Sequence, residues 1–321
     1  MKILHLPLQV LGSEQVGQAT GMREVFDEVV EFDYLNMPKD EANQKLKEIA
    51  KQKFDIGWFQ LQETNWILPE TLKEIKPYFK HLVQWNGDIR EVVPEYQQKI
   101  GKYFDITYLG FDHIKQYQPY CNELKIMMIA VDPVEVTRHF QKQPQAIDKK
   151  NQEIKIEKLE KEYDVIFIGN HYGNQFPDSQ FRLDLINLLR GKFNLKVFGF
   201  DWPFETERCP VKSQGYYYSR AKVCLSINHF NNVKYYSERL LWCLASGTPC
   251  VAKKTPDLEF LEGTHLLPFD DMDECVRLVG SVLESPHQFD AMASRALSEV
   301  IKNHTWTNRF KQLKEDLKCL K

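Results

Sequence analysis

The chain has 321 residues, 43% hydrophobic and 27% charged, with a formal net charge of −3 at pH 7. That length exceeds what one hydrophobic core usually serves and points to two globular domains. The near-neutral balance excludes a global attraction to nucleic acid and leaves only a local basic patch as a means of binding it.

No stretch reaches the ~18 apolar residues of a membrane-crossing helix, so no membrane span is expected. The apolar run in "MKILHLPLQVLG" is too short for a secretion signal and reads as a first β-strand. After it, "GQATGMREVFDEVV" is a loop feeding a helix, "VEFDYLN" a strand and "KDEANQKLKEIAKQK" an exposed helix. "FDIGWFQLQ" is a buried strand, "PETLKEIKPYFK" a helix, and "HLVQWNGD" a strand ending in a turn. Pro94 interrupts "EVVPEYQQKIGKYF", and "DITYLGF" closes the series. Strands separated by helices imply βαβ crossovers and a parallel sheet.

Between Asp132 and Glu162 the chain is polar and Lys-rich, which reads as a linker or surface excursion. A second alternating series follows: "YDVIFIGN" (strand), "DSQFRLDLINLLRGKF" (helix), "NLKVFGFDW" and "KVCLSINH" (strands), "SERLLWCLASG" (helix) and "TPCVAKK" (strand). From "MDECVRLVGSVLE" onward the chain is helical, and Asn303 or Thr305 is placed to cap the last helix. The pattern describes an α/β protein of two doubly wound halves with a cleft between them.

The seven cysteines (Cys121, Cys209, Cys224, Cys243, Cys250, Cys275, Cys319) form no CxxC pair, which suits a reducing cytoplasm without disulfides. The histidines show no metal-like grouping. "DDMDE" (Asp270–Glu274) contains an Asp-x-Asp that can hold a metal–nucleotide complex or, as acids often do, cap the helix it precedes.

Ligands of such sheets bind beyond the carboxyl ends of the strands. There the second half offers Gly169, Asn170, Gly173 and Asn174 before the helix of Arg182, then Asn228 and His229, then Ser237, Glu238 and Arg239. Glycines and helix starts favour an anion; the same residues also serve as turns, as caps, or as an ion pair of Glu238 with Lys234. Arg239 is the exception, because the helix dipole opposes a cation in the first turn unless an anion shares the site. In the first half, Gly87, Asp88 and Arg90 follow a strand, and Asp88 is either an N-cap or a general base. The run Tyr216–Lys222 reads as packing or as a base-stacking platform, and Asp201–Pro203 as loop packing or the border of a nucleobase pocket.

The second half resembles GT-B glycosyltransferases, closest to the CgeB-like branch of the group 1 family. The resemblance rests on Ser237 and Arg239 before the helix, Ala245 and Gly247 at its end, and the late His304-Thr305-Trp306 with Arg309. In the first half only "QWNGDIR" is similar. The resemblance implies two Rossmann-like domains, residues 1–155 on the acceptor side and 156–303 holding a nucleotide-diphosphate sugar, with 304–321 as a helix crossing back. It also implies donor contacts at Gly169, Asn170, Asn174, Arg182, Asn228, Ser237, Arg239 and Gly247. Gly87 and Arg90 are expected on the acceptor side, and Asp88, from its place after a strand, is the candidate catalytic base; no metal and no cofactor beyond the donor substrate are expected.

One departure stands out: Lys234 and Trp242 occupy the places where many retaining relatives carry two glutamates. The expected activity is cytoplasmic, metal-independent hexosyl or pentosyl transfer to a hydroxyl acceptor (glycan, protein, metabolite or hydroxymethylated DNA base). A DNA acceptor would need a basic channel, which the lysines at 149–161 could border. A catalytically inactive module that binds nucleotide sugar or a protein partner is the alternative.

Overall fold

The computed structural model describes residues 1–9, 17–62, 64–88, 90, 92–112, 114–138, 160–260 and 262–320. They divide into two compact units, Met1–Ile129 with Trp306–Lys321, and Ala130–Thr305.

The first unit is built on six parallel strands: β1 (Lys2–Leu6), β2 (Glu28–Glu31), β3 (Phe54–Phe59), β4 (Phe79–Asn86), β5 (Ile106–Leu109) and β6 (Glu123–Ile126), in the order β2-β1-β3-β4-β5-β6. The central strand β3 carries Ile56, Trp58 and Phe59 with no exposed surface, as expected of a parallel strand covered on both faces. β2 is shorter than the run "VEFDYLN" suggests. The chain leaves the sheet after Glu31, and Tyr34 turns inward to donate from its hydroxyl to the carbonyl of Gln60 at 2.7 Å. β6 has no apolar run to announce it; it is a half-buried edge strand.

The helix Trp306–Lys318 belongs to this first unit. Trp306 meets Trp85 edge-on at 5.2 Å and Phe310 meets Trp58 at 5.2 Å. Gly21 explains how closely the helix Gln18–Val25 approaches it: a Cβ there would lie 2.7 Å from the backbone nitrogen of Thr307. Asp316 pins the far end, accepting from the Tyr108 hydroxyl at 2.6 Å and from Lys125 at 2.9 Å.

The second unit has five parallel strands: β7 (Tyr163–Ile168), β8 (Leu195–Phe198), β9 (Ala221–Ser226), β10 (Cys250–Lys253) and β11 (Leu267–Phe269), in the order β11-β10-β9-β7-β8. Val165, Phe167, Val223, Leu225 and Val251 pack into its core with Leu185, Ile186 and Leu189 of the helix Ser179–Arg190. β11 is three residues long, too short for a periodic signal. At "DDMDE" the capping reading holds. Asp271 accepts from the Glu274 N–H at 2.8 Å, and the Glu274 carboxylate accepts from the Asp270 N–H at 2.9 Å. Among the described residues no group of three His, Cys, Asp or Glu could hold a metal, and the seven cysteines are free thiols.

Of the polar stretch 132–162, the head forms the helix Pro133–Arg138, with Asp132 Oδ1 accepting from the N–H groups of Val134 (2.7 Å) and Glu135 (3.2 Å). Residues 139–159 lie outside the described residues, and with them all the lysines of the proposed basic border except Lys161. Lys161 is committed to the Ser219 carbonyl at 2.8 Å and the Thr248 hydroxyl at 3.0 Å.

Asp316→Ala should leave the buried Tyr108 phenol without its acceptor, while Lys125 keeps Glu123 at 3.2 Å. The expected loss of unfolding free energy, read from urea denaturation, is about 1–3 kcal/mol. Tyr108→Phe, which removes one donor and leaves Lys125 paired, should cost less.

Candidate functional site

β7 and β9 are neighbours, so their carboxyl ends bring Gly169–Asn170 and Asn228–His229 together. The chain then enters the helix Glu238–Leu244 through Ser237. Ser237 stands at the N-cap with extended backbone, but its side chain caps nothing. Its hydroxyl donates to Asn228 Oδ1 at 3.2 Å and accepts from Arg239 Nη1 at 3.3 Å.

Arg239 points away from its own helix and across the strand ends. Nε donates to the carbonyl of Ile168 at 2.5 Å, Nη1 donates to the carbonyl of Ile227 at 2.9 Å, and the guanidinium lies 4.9 Å from the Phe167 ring. Gly169 makes room for it, because a Cβ there would stand 2.5 Å from Nη2. Nη2 itself donates to none of the described residues.

Behind it lies Arg182, with no exposed surface. It donates to the Asn170 carbonyl at 2.9 Å, to the Ile227 carbonyl, and to Nε2 of His229, and its guanidinium sits 5.4 Å from the same Phe167 ring. Burial lowers its pKa well below the usual arginine value, and the neighbouring charge of Arg239 adds to the effect. Among the described residues neither guanidinium forms an ion pair; the nearby Asp178 pairs with Lys253 at 2.9 Å. Two cations thus share one carbonyl and one aromatic ring with only neutral acceptors. A buried charge left in that condition is costly, and an anion would relieve it.

Two imidazoles complete the site. His229 is held neutral: burial, Arg182 and Arg239 bring its pKa down to about 3. His171 Nδ1 accepts from the Gly173 N–H at 3.1 Å. His229 Nδ1 and His171 Nε2 are buried without a partner. The rings of Tyr172 and Phe176 pack against His229 at 5.5 and 4.8 Å.

The remaining sequence-derived residues fall in different places. The Asn170 side chain is used internally, donating to the Tyr172 hydroxyl at 2.8 Å and accepting from the Phe200 N–H at 3.1 Å. Asn174 is exposed in the turn beyond Gly173. Gly247 sits at the opposite end of the helix Glu238–Leu244, in a left-handed turn (φ 68°) leading into β10. Trp202 packs as a loop anchor, its Nε1 donating to the Gly169 carbonyl at 2.9 Å. Tyr217 packs on Phe198 at 4.5 Å, whereas Tyr216 is exposed and carries Arg220 at 5.1 Å.

In the first unit, Gly87, Asp88 and Arg90 follow β4. A Cβ at Gly87 would lie 2.4 Å from the Trp85 indole, and exposed Asp88 pairs with Arg90 at 3.6 Å.

Sequence reading passed over His171 and the paired use of His229; their only signal was a histidine directly after a strand-end asparagine. It also gave Glu238 a surface partner. Its side chain is instead half-buried, and burial raises its pKa to about 7; Asp132 pushes the same way and the Trp242 indole works against both.

Residues 181–315 match the family described as glycosyl transferase-like. No curated protein matches the chain. Among solved structures, Anabaena HepE in complex with UDP-glucose is 12% identical with a TM-score of 0.57, covering 100% of both chains. Sucrose-phosphate synthase from Thermosynechococcus elongatus is 11% identical (TM-score 0.59, 99% of both chains). A glycosyltransferase from Rickettsia africae is 10% identical (TM-score 0.56, 98% of this chain and 97% of that one). The fold is GT-B, with two Rossmann-like units.

Because the folded-state pKa of Glu238 lies above its ordinary value of 4.5, the folded chain holds that proton more tightly than the unfolded chain. The group therefore costs nothing below about pH 4.5 and increasingly destabilises the fold as pH rises toward 7. Glu238→Gln should gain thermal stability over the wild type between pH 5 and pH 8, with the gain levelling off above 7. A difference in melting temperature that does not change with pH would contradict this.

Proposed function

From a GT-B fold in which residues 181–315 match the glycosyl transferase-like family, we propose that the protein transfers a glycosyl group from a nucleotide-diphosphate sugar to a hydroxyl acceptor. The observation that carries the reading is the pair of guanidinium groups, Arg239 and Arg182, at the strand ends of β7 and β9 without a carboxylate partner. A diphosphate is the anion that suits them, and Arg239 Nη2 is the group left to meet it. HepE was solved with UDP and with UDP-glucose, which makes UDP-glucose the first donor to test.

In the reaction, an acceptor hydroxyl oxygen bonds to the anomeric carbon. The bond from that carbon to the phosphate oxygen breaks, and its electron pair leaves with the nucleoside diphosphate. Positive charge held in place before the reaction stabilises that leaving group, and fixed arginines supply it without reorganisation. We read the transfer as metal-independent on this basis. The sugar is a hexose or pentose, and the site is assigned to the cytoplasm.

Asp88 is the proposed base. It follows β4 at a carboxyl end of the first sheet, is exposed, and pairs with Arg90 at 3.6 Å; a carboxylate so placed is the kind of group that takes a proton from a hydroxyl. A second reading, a module that binds the donor without turning it over, draws on Lys234 and Trp242 in place of the two glutamates. Lys234 is exposed and Trp242 is buried in the core, so neither offers a carboxylate.

Arg239→Ala should weaken UDP binding about tenfold or more and uridine binding little, because a hydrogen bond to a charged group contributes roughly 1.5–3 kcal/mol. Equal losses for both ligands in calorimetry would remove Arg239 from the diphosphate site.

Asp88→Asn should keep the fold and the UDP affinity while transfer falls by about 10²–10⁴. Near-normal turnover would remove Asp88 from the reaction; it does not cap a helix, since the next one, Glu95–Ile100, has Pro94 at its N-cap. Wild-type protein that binds UDP tightly but releases none from any UDP-, GDP- or ADP-sugar would favour the binding module.

A further inference from the structure

A fully buried arginine whose acceptors among the described residues are two carbonyls and an imidazole, with no acid among them, calls for an explanation. The hydrogen-bond inventory of the two side chains supplies one. A guanidinium has donors only, so the nitrogen that faces Arg182 Nη1, His229 Nε2, must accept. A neutral imidazole that accepts at Nε2 carries its proton on Nδ1. Arg182 therefore fixes the tautomer of His229. The Nδ1–H that results is covered and makes no hydrogen bond, although the residue as a whole is half-exposed at the mouth of the strand ends.

We infer that Arg182 is a positioning residue that holds His229 as a neutral Nδ1–H donor, and that this N–H binds a phosphate oxygen of the nucleoside diphosphate. The inference rests on the diphosphate reading of the site proposed above. Both arginines converge on the carbonyl of Ile227, two residues before His229, so the unused Nη2 of Arg239 and the unused Nδ1–H of His229 belong to one strand end. Leaving a buried donor unmet is unfavourable by itself, and a ligand oxygen is an acceptor that the described residues do not provide. The low pKa of His229 keeps the imidazole neutral throughout the physiological range, so its contribution is a hydrogen bond and not a charge.

Two substitutions separate this role from a purely structural one. Gln at 229 can present an acceptor to Arg182 in the place of Nε2 but has no donor in the place of Nδ1. Asn at 229 has its amide near the Nδ1 position and cannot reach Arg182. If His229 serves only as an acceptor for Arg182, His229→Gln should bind ligands normally. If its Nδ1–H meets the diphosphate, His229→Gln should raise the UDP dissociation constant about tenfold while uridine binding is unchanged. His229→Asn should then recover part of the loss.

The second measurement uses the wild-type protein and does not depend on a variant folding. Long-range proton–nitrogen NMR of histidine-labelled protein should show His229 protonated at Nδ1 and bare at Nε2 from pH 5 to pH 8. The Nδ1–H signal should move on addition of UDP and not of uridine. An Nε2–H tautomer, a titration within that range, no response to UDP, or a His229→Gln variant with wild-type UDP affinity would each overturn the inference. Wild-type protein that binds UDP no better than uridine would defeat the diphosphate reading itself. That failure would be recognisable because the tautomer measured without ligand would still stand.

Discussion

Two guanidinium groups donate to the carbonyl of Ile227, and among the described residues no carboxylate pairs with either of them. Most buried charges in proteins are neutralised within the chain, because an ion removed from water costs several kcal/mol even after relaxation. Here the fold leaves that cost in place and spreads it over neutral acceptors: the carbonyls of Ile168, Asn170 and Ile227, and the ring nitrogen of His229. The arrangement makes the ends of β7 and β9 an electropositive surface before any ligand arrives. Preorganisation of this kind is how a protein stabilises charge that develops on a leaving group.

Several neighbouring features follow from accommodating those two side chains. Gly169 has no side chain because the Arg239 guanidinium fills the space a Cβ would take. Gly199 comes still closer to that turn: its Cβ would lie 2.2 Å from the Gly169 carbonyl oxygen, and its φ of 138° suits glycine. The same carbonyl accepts from Trp202 Nε1, which ties the loop after β8 to the turn after β7. Phe167 places its ring against both guanidiniums, offering π density where no anion of the protein is present. Each of these residues is an ordinary core or turn residue in its type. Their common purpose shows only around the arginines.

The first unit solves a different problem. Its C-terminal helix comes from the far end of the chain and must be held on a sheet built from the first 126 residues. Aromatic contacts do most of this through Trp306 and Phe310, and backbone approach at Gly21 allows the helices to close together. Asp316 adds a directional restraint through Tyr108 and Lys125, whose polar atoms would otherwise be left partly desolvated. Burial and the Asp316 contact both hold the Tyr108 phenol protonated, which keeps it a donor to that carboxylate.

Alternation of apolar runs with amphipathic segments was enough to establish a parallel α/β protein, because a buried parallel strand is apolar on both faces and its crossovers are helical. It also located Gly169, Asn170 and Asn228, which follow directly on apolar runs, and Ser237 and Arg239, which stand directly before one. It did not show β6 or β11, where a half-buried edge strand and a three-residue strand carry too little pattern. Nor did it show which polar groups would be spent internally. Ser237 looked like a helix cap and instead bonds Asn228 and Arg239; Glu238 looked like a surface ion-pair partner and instead is half-buried with a raised pKa. Gly247 shares a helix with Arg239 yet stands at its other end. Those outcomes depend on which atoms meet across β7, β9 and the helix Glu238–Leu244, distances set by packing between segments far apart in the chain. Local spacing determined where the polar residues occur; only the tertiary structure decided which of their donors and acceptors were left for a ligand.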